Sequence, residues 1–216
     1  MLARLVLVCL MMFPVSLFPT MAQAEEQWEA GKHYIVLPQP VRTRDASKVE
    51  VVELFWYGCP HCYSFNPLIH AWERSAPDYV DFWLSPATFS EVWKTHAKAF
   101  YTAEFLGVLE KTHDDLFDAI VRDRKKLDDE DSLAKFYAGY GVDEAEFKKT
   151  FNSFAVNAKL QQADARVRGY RLTGVPGVVV NGKYLVSAST AGGQDKILKV
   201  VNYLVEQEKQ GLQSAN

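Results

Sequence analysis

The sequence predicts an α/β fold whose sheet is interrupted by an all-helical insertion. Three observations lead to this prediction. A β-branched and aromatic run begins at Val49, the stretch 87–166 shows helical spacing only, and strand patterns return on both sides of Asn181-Gly182. The chain has 216 residues, of which 48% are hydrophobic, so it can bury one sizeable core.

The first 24 residues have the pattern of a secretory signal peptide. A stretch from Leu5 to Phe18, apolar apart from Ser16, follows a single arginine, and the small residues Ala22 and Ala24 occupy the cleavage positions before two glutamates. We therefore expect residues 1–24 to be removed and residues 25–216 to form the mature protein. The alternative is a retained membrane anchor, but two prolines interrupt a run shorter than the ~20 apolar residues that a span needs.

The first half of the predicted sheet has a strand, a helix and a second strand. Val49–Tyr57 is typical of a central strand covered on both faces, and Gly58 ends it. A helix is expected from Pro60 to about Ser75, with a kink at Pro67. Alternation over Tyr79–Leu84 predicts the second strand.

The inserted block shows apolar residues at helical spacing. Asp143 followed by Glu146 resembles a capping box that opens a further helix, with Phe147, Phe151 and Phe154 on one face. These aromatic stripes indicate packed core rather than a cofactor pocket, and the charged run 122–131 indicates a solvated turn. The other helical groups are Phe89, Trp93, Ala97 and Phe100; Leu116, Phe117, Ile120 and Val121; and Leu133, Phe136, Tyr137 and Tyr140.

The C-terminal part predicts a hairpin and a helix. Strand-like runs at Gly177–Val180 and Lys183–Val186 flank Asn181-Gly182, which is a strong hairpin signal. The last helix is amphipathic. Its apolar residues are Ile197, Val200, Val201, Leu204 and Val205.

The cysteines point to redox chemistry. Of three cysteines, one lies in the signal segment, which leaves Cys59 and Cys62. A disulfide between them closes a very short loop and constrains the unfolded chain little, so its value lies in reactivity. The net charge of −3 gives no electrostatic case for nucleic acid.

Cys59 is placed where the buried strand passes into a helix. A helix N-terminus presents free N–H groups and a positive dipole, both of which stabilise a thiolate. His61 can add a positive charge or an N–H donor. Cys62 follows one turn later and is expected to be more buried, so Cys59 is predicted to be the sulfur that is attacked and Cys62 the resolving thiol.

The segment from Glu53 to Cys62, with its Cys-Pro-His-Cys motif, resembles the DsbA family of bacterial thiol:disulfide interchange proteins, in the thioredoxin superfamily. Gly174-Val175-Pro176 and Asn181–Tyr184 contribute to the resemblance, which covers essentially the whole mature chain. It implies a thioredoxin fold built from about 30–86 and 167–210, with the helical insertion at about 87–166.

The resemblance also implies roles for individual residues. Pro60 and His61 belong to the catalytic motif with the two cysteines. Val175-Pro176 is expected to be a cis peptide packed against the disulfide, with the Val175 backbone available to substrate; an ordinary trans proline is the alternative. Glu53 matches a buried acid that relays protons to the resolving cysteine, and the alternative is a strand carboxylate paired with a lysine.

The implied activity is oxidation of newly exported proteins in the periplasm through a mixed disulfide. The implied partners are unfolded or folding exported proteins and a DsbB-like inner-membrane reoxidant, with no cofactor, and we expect a monomer. The oxidising direction follows from the resemblance. The alternatives are a disulfide isomerase, a thioredoxin-like reductase and, from a different class, a non-catalytic client-binding module.

Two further expectations concern metals and clients. One CxxC motif without a second pair, and histidines at 33, 70, 96 and 113 without ligand spacing, predict no metal site. Four aromatic residues crowd the motif, and some of them are expected to form an apolar platform for unfolded clients, the alternative being packed core. They are Trp56, Tyr57, Tyr63 and Phe65.

Overall fold

The computed structural model of the protein describes residues 28–214, and its centre is a mixed five-stranded sheet. The strand order is β1-β5-β4-β2-β3; β2 and β3 are parallel and the other neighbours are antiparallel. The strands are β1 Ile35–Val36, β2 Val49–Phe55, β3 Val80–Pro86, β4 Gly177–Val180 and β5 Tyr184–Ser187. The predicted α/β class is confirmed. The signal peptide expected at 1–24 lies outside the described residues.

Five helices lie between β3 and β4, which confirms the all-helical insertion. A π-helical turn, Asp118–Arg122, continues α3, and a 3₁₀ turn, Gln194–Lys196, precedes α8. The helices are α1 Pro60–Glu73, α2 Glu91–Phe105, α3 Leu109–Phe117, α4 Glu130–Ala138, α5 Glu144–Phe151, α6 Phe154–Gly169, α7 Ala188–Ala191 and α8 Ile197–Ser214. In the described part of the chain, none of them is long and apolar enough to cross a membrane.

Strand β2 is the middle of the sheet, and all seven of its residues are buried. Because successive side chains point to opposite faces, Val51 packs towards α1 and α8, whereas Val52 and Leu54 pack against the end of α6 and the segment after it. Glu53 shares the face of Val51, so a carboxylic acid lies inside the sheet beneath α1.

An aromatic cluster joins the sheet to the insertion. Phe55, at the end of β2, makes edge contacts with Tyr57 and Phe100 at centroid distances of 5.2 and 5.5 Å. Phe117 packs on the same group. Such pairs add about 0.5–1.5 kcal/mol each beyond their buried area, so the cluster fixes the insertion beside the end of β2.

Strand β2 ends at Phe55, two residues before the predicted end, and Tyr57 lies in the turn that follows. The short strand β1, which pairs with β5 through Ile35 and Leu185, was not predicted. Pro67 lies inside α1, which continues for six residues beyond it to Glu73.

Phe154 does not share the buried face of Phe147 and Phe151, so that part of the prediction is wrong. Helix α5 stops at Phe151, and the Ser153 hydroxyl accepts the N–H of Val156 at 3.2 Å to start α6. The new helix leaves Phe154 88% exposed. Asp143 does cap α5, accepting the N–H of Glu146 at 3.0 Å.

The Asn181-Gly182 hairpin is confirmed, and its turn makes a close contact. Asn181 and Gly182 have φ values of 49° and 62°, and the N–H of Lys183 donates to Val180 at 2.9 Å. A Cβ at Gly182 would lie 1.9 Å from the carbonyl oxygen of Val41. Glycine is therefore required both by the positive φ and by this approach.

Candidate active site

Cys59 is the N-cap residue of α1. Its backbone is extended, with φ −95° and ψ 113°, and its Sγ accepts the backbone N–H of Cys62 at 3.3 Å. The turn before it is tight, because a Cβ at Gly58 would lie 2.3 Å from the indole ring of Trp56. Pro60 occupies the first helical position, where a missing N–H costs nothing.

The two thiols, both free in the structure, have opposite environments. The pKa of Cys59 is lowered to about 6, mainly by the hydrogen bond from the Cys62 thiol, with help from the N–H groups of Cys62 and His61 and the charge of His61, while burial opposes the shift. The Cys62 side chain is fully inaccessible, and burial is the main cause of its raised pKa. At neutral pH Cys59 is therefore the thiolate and Cys62 the thiol.

The Val175–Pro176 peptide bond is cis, as expected. Because β4 is antiparallel to β2, the start of β4 lies at the end of β2, next to Cys59. The Sγ of Cys59 is 3.6 Å from the carbonyl oxygen of Val175. The structure thus brings together two segments that are more than a hundred residues apart in the chain.

His61 is exposed beside a shallow groove of about 260 Å³. Val175 and Pro176 line the same groove. The carbonyl of His61 accepts the side-chain amide of Gln194 at 2.9 Å, which ties the motif to the turn before α8. Sequence reasoning missed Gln194, since an isolated glutamine in a Gly-Gly-Gln turn carries no catalytic signal.

Glu53 is 2% exposed, and its pKa is raised to about 8. Burial is the largest cause, followed by the negative charges of Cys59 and Glu73. A carboxylate paired with a lysine would have a lowered pKa. The lysine-paired alternative therefore does not fit, and near neutral pH Glu53 holds a proton inside the sheet.

The aromatic residues around the motif divide into two pairs. Tyr57 and Phe65 are completely buried, so the platform prediction is wrong for them. Trp56 and Tyr63 are partly exposed. Trp56 stacks on Trp93 of α2 at 4.3 Å, so its position depends on the insertion.

Two of the histidines, His70 and His113, lie close together although they are far apart in the sequence. His113 of α3 is buried, and its Nδ1 is hydrogen-bonded to the Tyr57 hydroxyl at 2.8 Å. Burial lowers the pKa of His113 to about 3, with a smaller contribution from His70. The ring of His70 in α1 lies 5.8 Å from that of His113.

Comparison with known proteins agrees with this geometry. The family model of the DSBA-like thioredoxin domain matches residues 50–204. The chain belongs to the DsbA family. It is 44% identical to the thiol:disulfide interchange protein DsbA of Pseudomonas aeruginosa over 199 residues, which covers 92% of this chain and 94% of that one. DsbA of Azotobacter vinelandii is 44% identical over 198 residues, covering 90% and 92%.

Solved structures of DsbA proteins share the fold. The crystal structure of Pseudomonas aeruginosa DsbA aligns with a TM-score of 0.82 at 43% identity, over 86% of this chain and 97% of that one. DsbA of Xylella fastidiosa aligns with a TM-score of 0.78 at 37% identity, over 83% and 97%. The protein is thus a thiol–disulfide oxidoreductase with a thioredoxin fold and a helical insertion, as the resemblance implied.

Proposed function

We propose that this DsbA-family protein is an oxidant that donates a Cys59–Cys62 disulfide to newly exported proteins. It acts in the periplasm after residues 1–24 are removed. The observation that carries the proposal is the contrast between a Cys59 thiol with a pKa of about 6 and a buried Cys62 with a raised one. DsbA proteins are themselves the familiar example in which a stabilised thiolate makes the pair oxidising.

The first step forms a mixed disulfide. A substrate thiolate attacks the Sγ of Cys59, the Cys59–Cys62 bond breaks, and its electron pair goes to the sulfur of Cys62. A buried thiolate with a raised pKa is a poor resting state, so Cys62 takes up a proton. Glu53 is protonated near neutral pH and supplies that proton through the site interior.

The second step releases the product. A second substrate thiolate attacks the substrate sulfur of the mixed disulfide, and Cys59 departs as a thiolate. A low pKa makes Cys59 a good leaving group. The substrate loses two electrons and gains a disulfide, while the protein gains two electrons and becomes the dithiol.

The substrate backbone is held in the groove beside His61, with the Val175 backbone as its hydrogen-bonding partner. Support comes from the position of the Val175 carbonyl, 3.6 Å from the attacked sulfur. The partly exposed Trp56 and Tyr63 belong to the same apolar cluster as Cys59 and Val175, and they supply further apolar surface near the attacked sulfur. The clients are unfolded or folding chains, for which backbone and apolar contacts suit many sequences.

The catalytic cycle is completed by a second protein. A DsbB-like inner-membrane protein accepts the two electrons and restores the disulfide, so no bound cofactor is needed. The groove and the motif are complete within one chain, so the proposed chemistry needs no second copy and is consistent with the expected monomer.

The test uses the oxidised protein and a reduced peptide with two cysteines. We expect one equivalent of protein to convert about one equivalent of peptide to its disulfide in the absence of any other oxidant. A Cys59→Ser/Cys62→Ser double variant is the control. Equal oxidation by that control, or reduction of a peptide disulfide by the reduced protein as the favoured direction, would contradict the proposal.

The peptide assay, run beside an assay on a protein with scrambled disulfides, separates the alternatives. An isomerase would rearrange scrambled disulfides faster than it oxidises the peptide. If the protein is a non-catalytic client-binding module, the wild type and the double variant should bind the peptide equally well. Both should leave the thiols of the peptide unchanged.

A further inference from the structure

His70, His113 and Asp114 form a cluster that the redox chemistry does not use. Each offers one ligand atom, and these atoms all lie within 4.8 Å of one another. His70 belongs to α1, whereas His113 and Asp114 belong to α3. The cluster therefore spans the boundary between the thioredoxin fold and the helical insertion.

Each of the three side chains is held by a second residue. The Nδ1 of His113 is hydrogen-bonded to the Tyr57 hydroxyl at 2.8 Å, and the Nδ1 of His70 lies 3.0 Å from a carboxylate oxygen of Glu73. Asp114 accepts the side-chain amide of Asn66 at 2.7 Å. Histidine ligands of metals are commonly oriented in this way, with one ring nitrogen bonded to a neighbour and the other directed at the ion.

We propose that His70, His113 and Asp114 bind one divalent transition-metal ion of the zinc class. Two imidazoles and a carboxylate are a donor set suited to Zn²⁺, with water in the fourth position. Tetrahedral ligation needs ligand atoms about 3.4 Å apart, given Zn–N distances of about 2.0–2.1 Å. The ligand atoms lie within 4.8 Å of one another, so ion binding requires them to approach further. His70 and Asp114 are the ligands that would move, because they are not buried.

The surroundings of the cluster are open and predominantly acidic. It lies in a groove of about 830 Å³ whose charged lining residues are Glu73, Arg74, Glu110 and Asp114. Three carboxylates against one guanidinium favour a cation. The opening also gives an ion access to the buried His113. A bound ion would link α1 to α3 and hold the insertion against the active-site helix.

The test is a zinc titration of the disulfide form of the mature protein. The oxidised form is essential, because the thiols of the reduced motif are themselves zinc ligands. We expect one equivalent of Zn²⁺ to be retained in competition with a chromogenic chelator. We also expect His70→Ala and Asp114→Asn to weaken binding at least tenfold. His33→Ala, which removes a partly exposed histidine elsewhere, is the matched control and should bind as the wild type does.

A second measurement separates a metal site from a merely structural cluster. Replacing Glu73 by Gln leaves all three ligands in place and should still weaken zinc binding by about tenfold. His113 is left unchanged because it is buried and bonded to Tyr57, so its loss could disturb folding. Zinc binding that occurs only in the reduced protein, or that is equal in the wild type and His70→Ala, would overturn the proposal.

Discussion

Ionisation of Cys59 should make the stability of the reduced protein depend on pH in a way that the oxidised protein does not share. The perturbation is a change of pH from 5 to 8 applied to both redox forms. The pKa of Cys59 is about 6 in the folded protein and ~8.5 in an unfolded chain. Because the pKa in the folded protein is the lower one, ionisation of Cys59 stabilises the folded reduced protein. This stabilisation is full above pH ~8.5 and is lost as the pH falls through 6.

The size of the effect follows from those two values. At pH 8 the folded thiol is ionised and the unfolded one mostly is not, which stabilises the reduced form by about 2.5 kcal/mol; at pH 5 the gain is close to zero. Solvent screening near the surface reduces this to roughly 1–2.5 kcal/mol. For a protein of this size each kcal/mol shifts Tm by about 2–4 °C.

Thermal melts of the reduced and oxidised forms at several pH values measure this directly. We expect the Tm of the reduced form minus that of the oxidised form to rise by about 2–10 °C between pH 5 and 8. Glu53 titrates in both forms, so its burial cost largely cancels in the difference. A difference that is flat with pH, or that falls as pH rises, would refute the assignment of a stabilised Cys59 thiolate.

Three further predictions concern the motif and the buried acid. Cys62→Ser should accumulate a covalent client adduct on Cys59, seen as a mass increase that a reductant removes, whereas Cys59→Ser should form none. A comparable adduct on Cys62 in Cys59→Ser would contradict the order of attack. His61→Ala should raise the pKa of Cys59 and make the cysteine pair less oxidising, and thiolate absorbance followed across pH will measure that pKa. An unchanged titration would mean that the helix terminus stabilises the Cys59 thiolate without help from His61. The raised pKa of Glu53 means that its contribution to stability is full below ~4.5 and is lost as pH rises towards 8. Glu53→Gln should therefore stabilise both redox forms at pH 7, by on the order of 1–3 kcal/mol, with little change at pH 4. Equal unfolding free energies of the wild type and the variant at pH 7 would show that burial of the Glu53 carboxyl does not destabilise the protein by this amount.

The sequence predicted best those features that depend on neighbouring residues. The Cys-Pro-His-Cys motif, the strand before it and the Asn181-Gly182 turn are local patterns with a direct physical basis. The break between α5 and α6 at Ser153 could also have been predicted, because serine is a preferred N-cap residue of a helix. Overlooking it placed Phe154 on the wrong face.

Other features depend on contacts between distant segments. Strand β1 has two residues, too few for a periodic pattern, and exists through its pairing with β5. The approach of His70 to His113 arises only when α3 packs beside α1. The burial of Tyr57 follows from the position of the insertion, whereas Phe65 is buried by the packing of α1 on the sheet and α8. No local pattern specifies either contact.

The most direct test of the central claim is the redox equilibrium of the Cys59–Cys62 pair against glutathione. We expect a reduction potential above about −200 mV, so that the pair is largely reduced in buffers where ordinary protein disulfides remain oxidised. A potential near that of thioredoxin, about −270 mV, would contradict the claim and indicate a reductase built on the same fold.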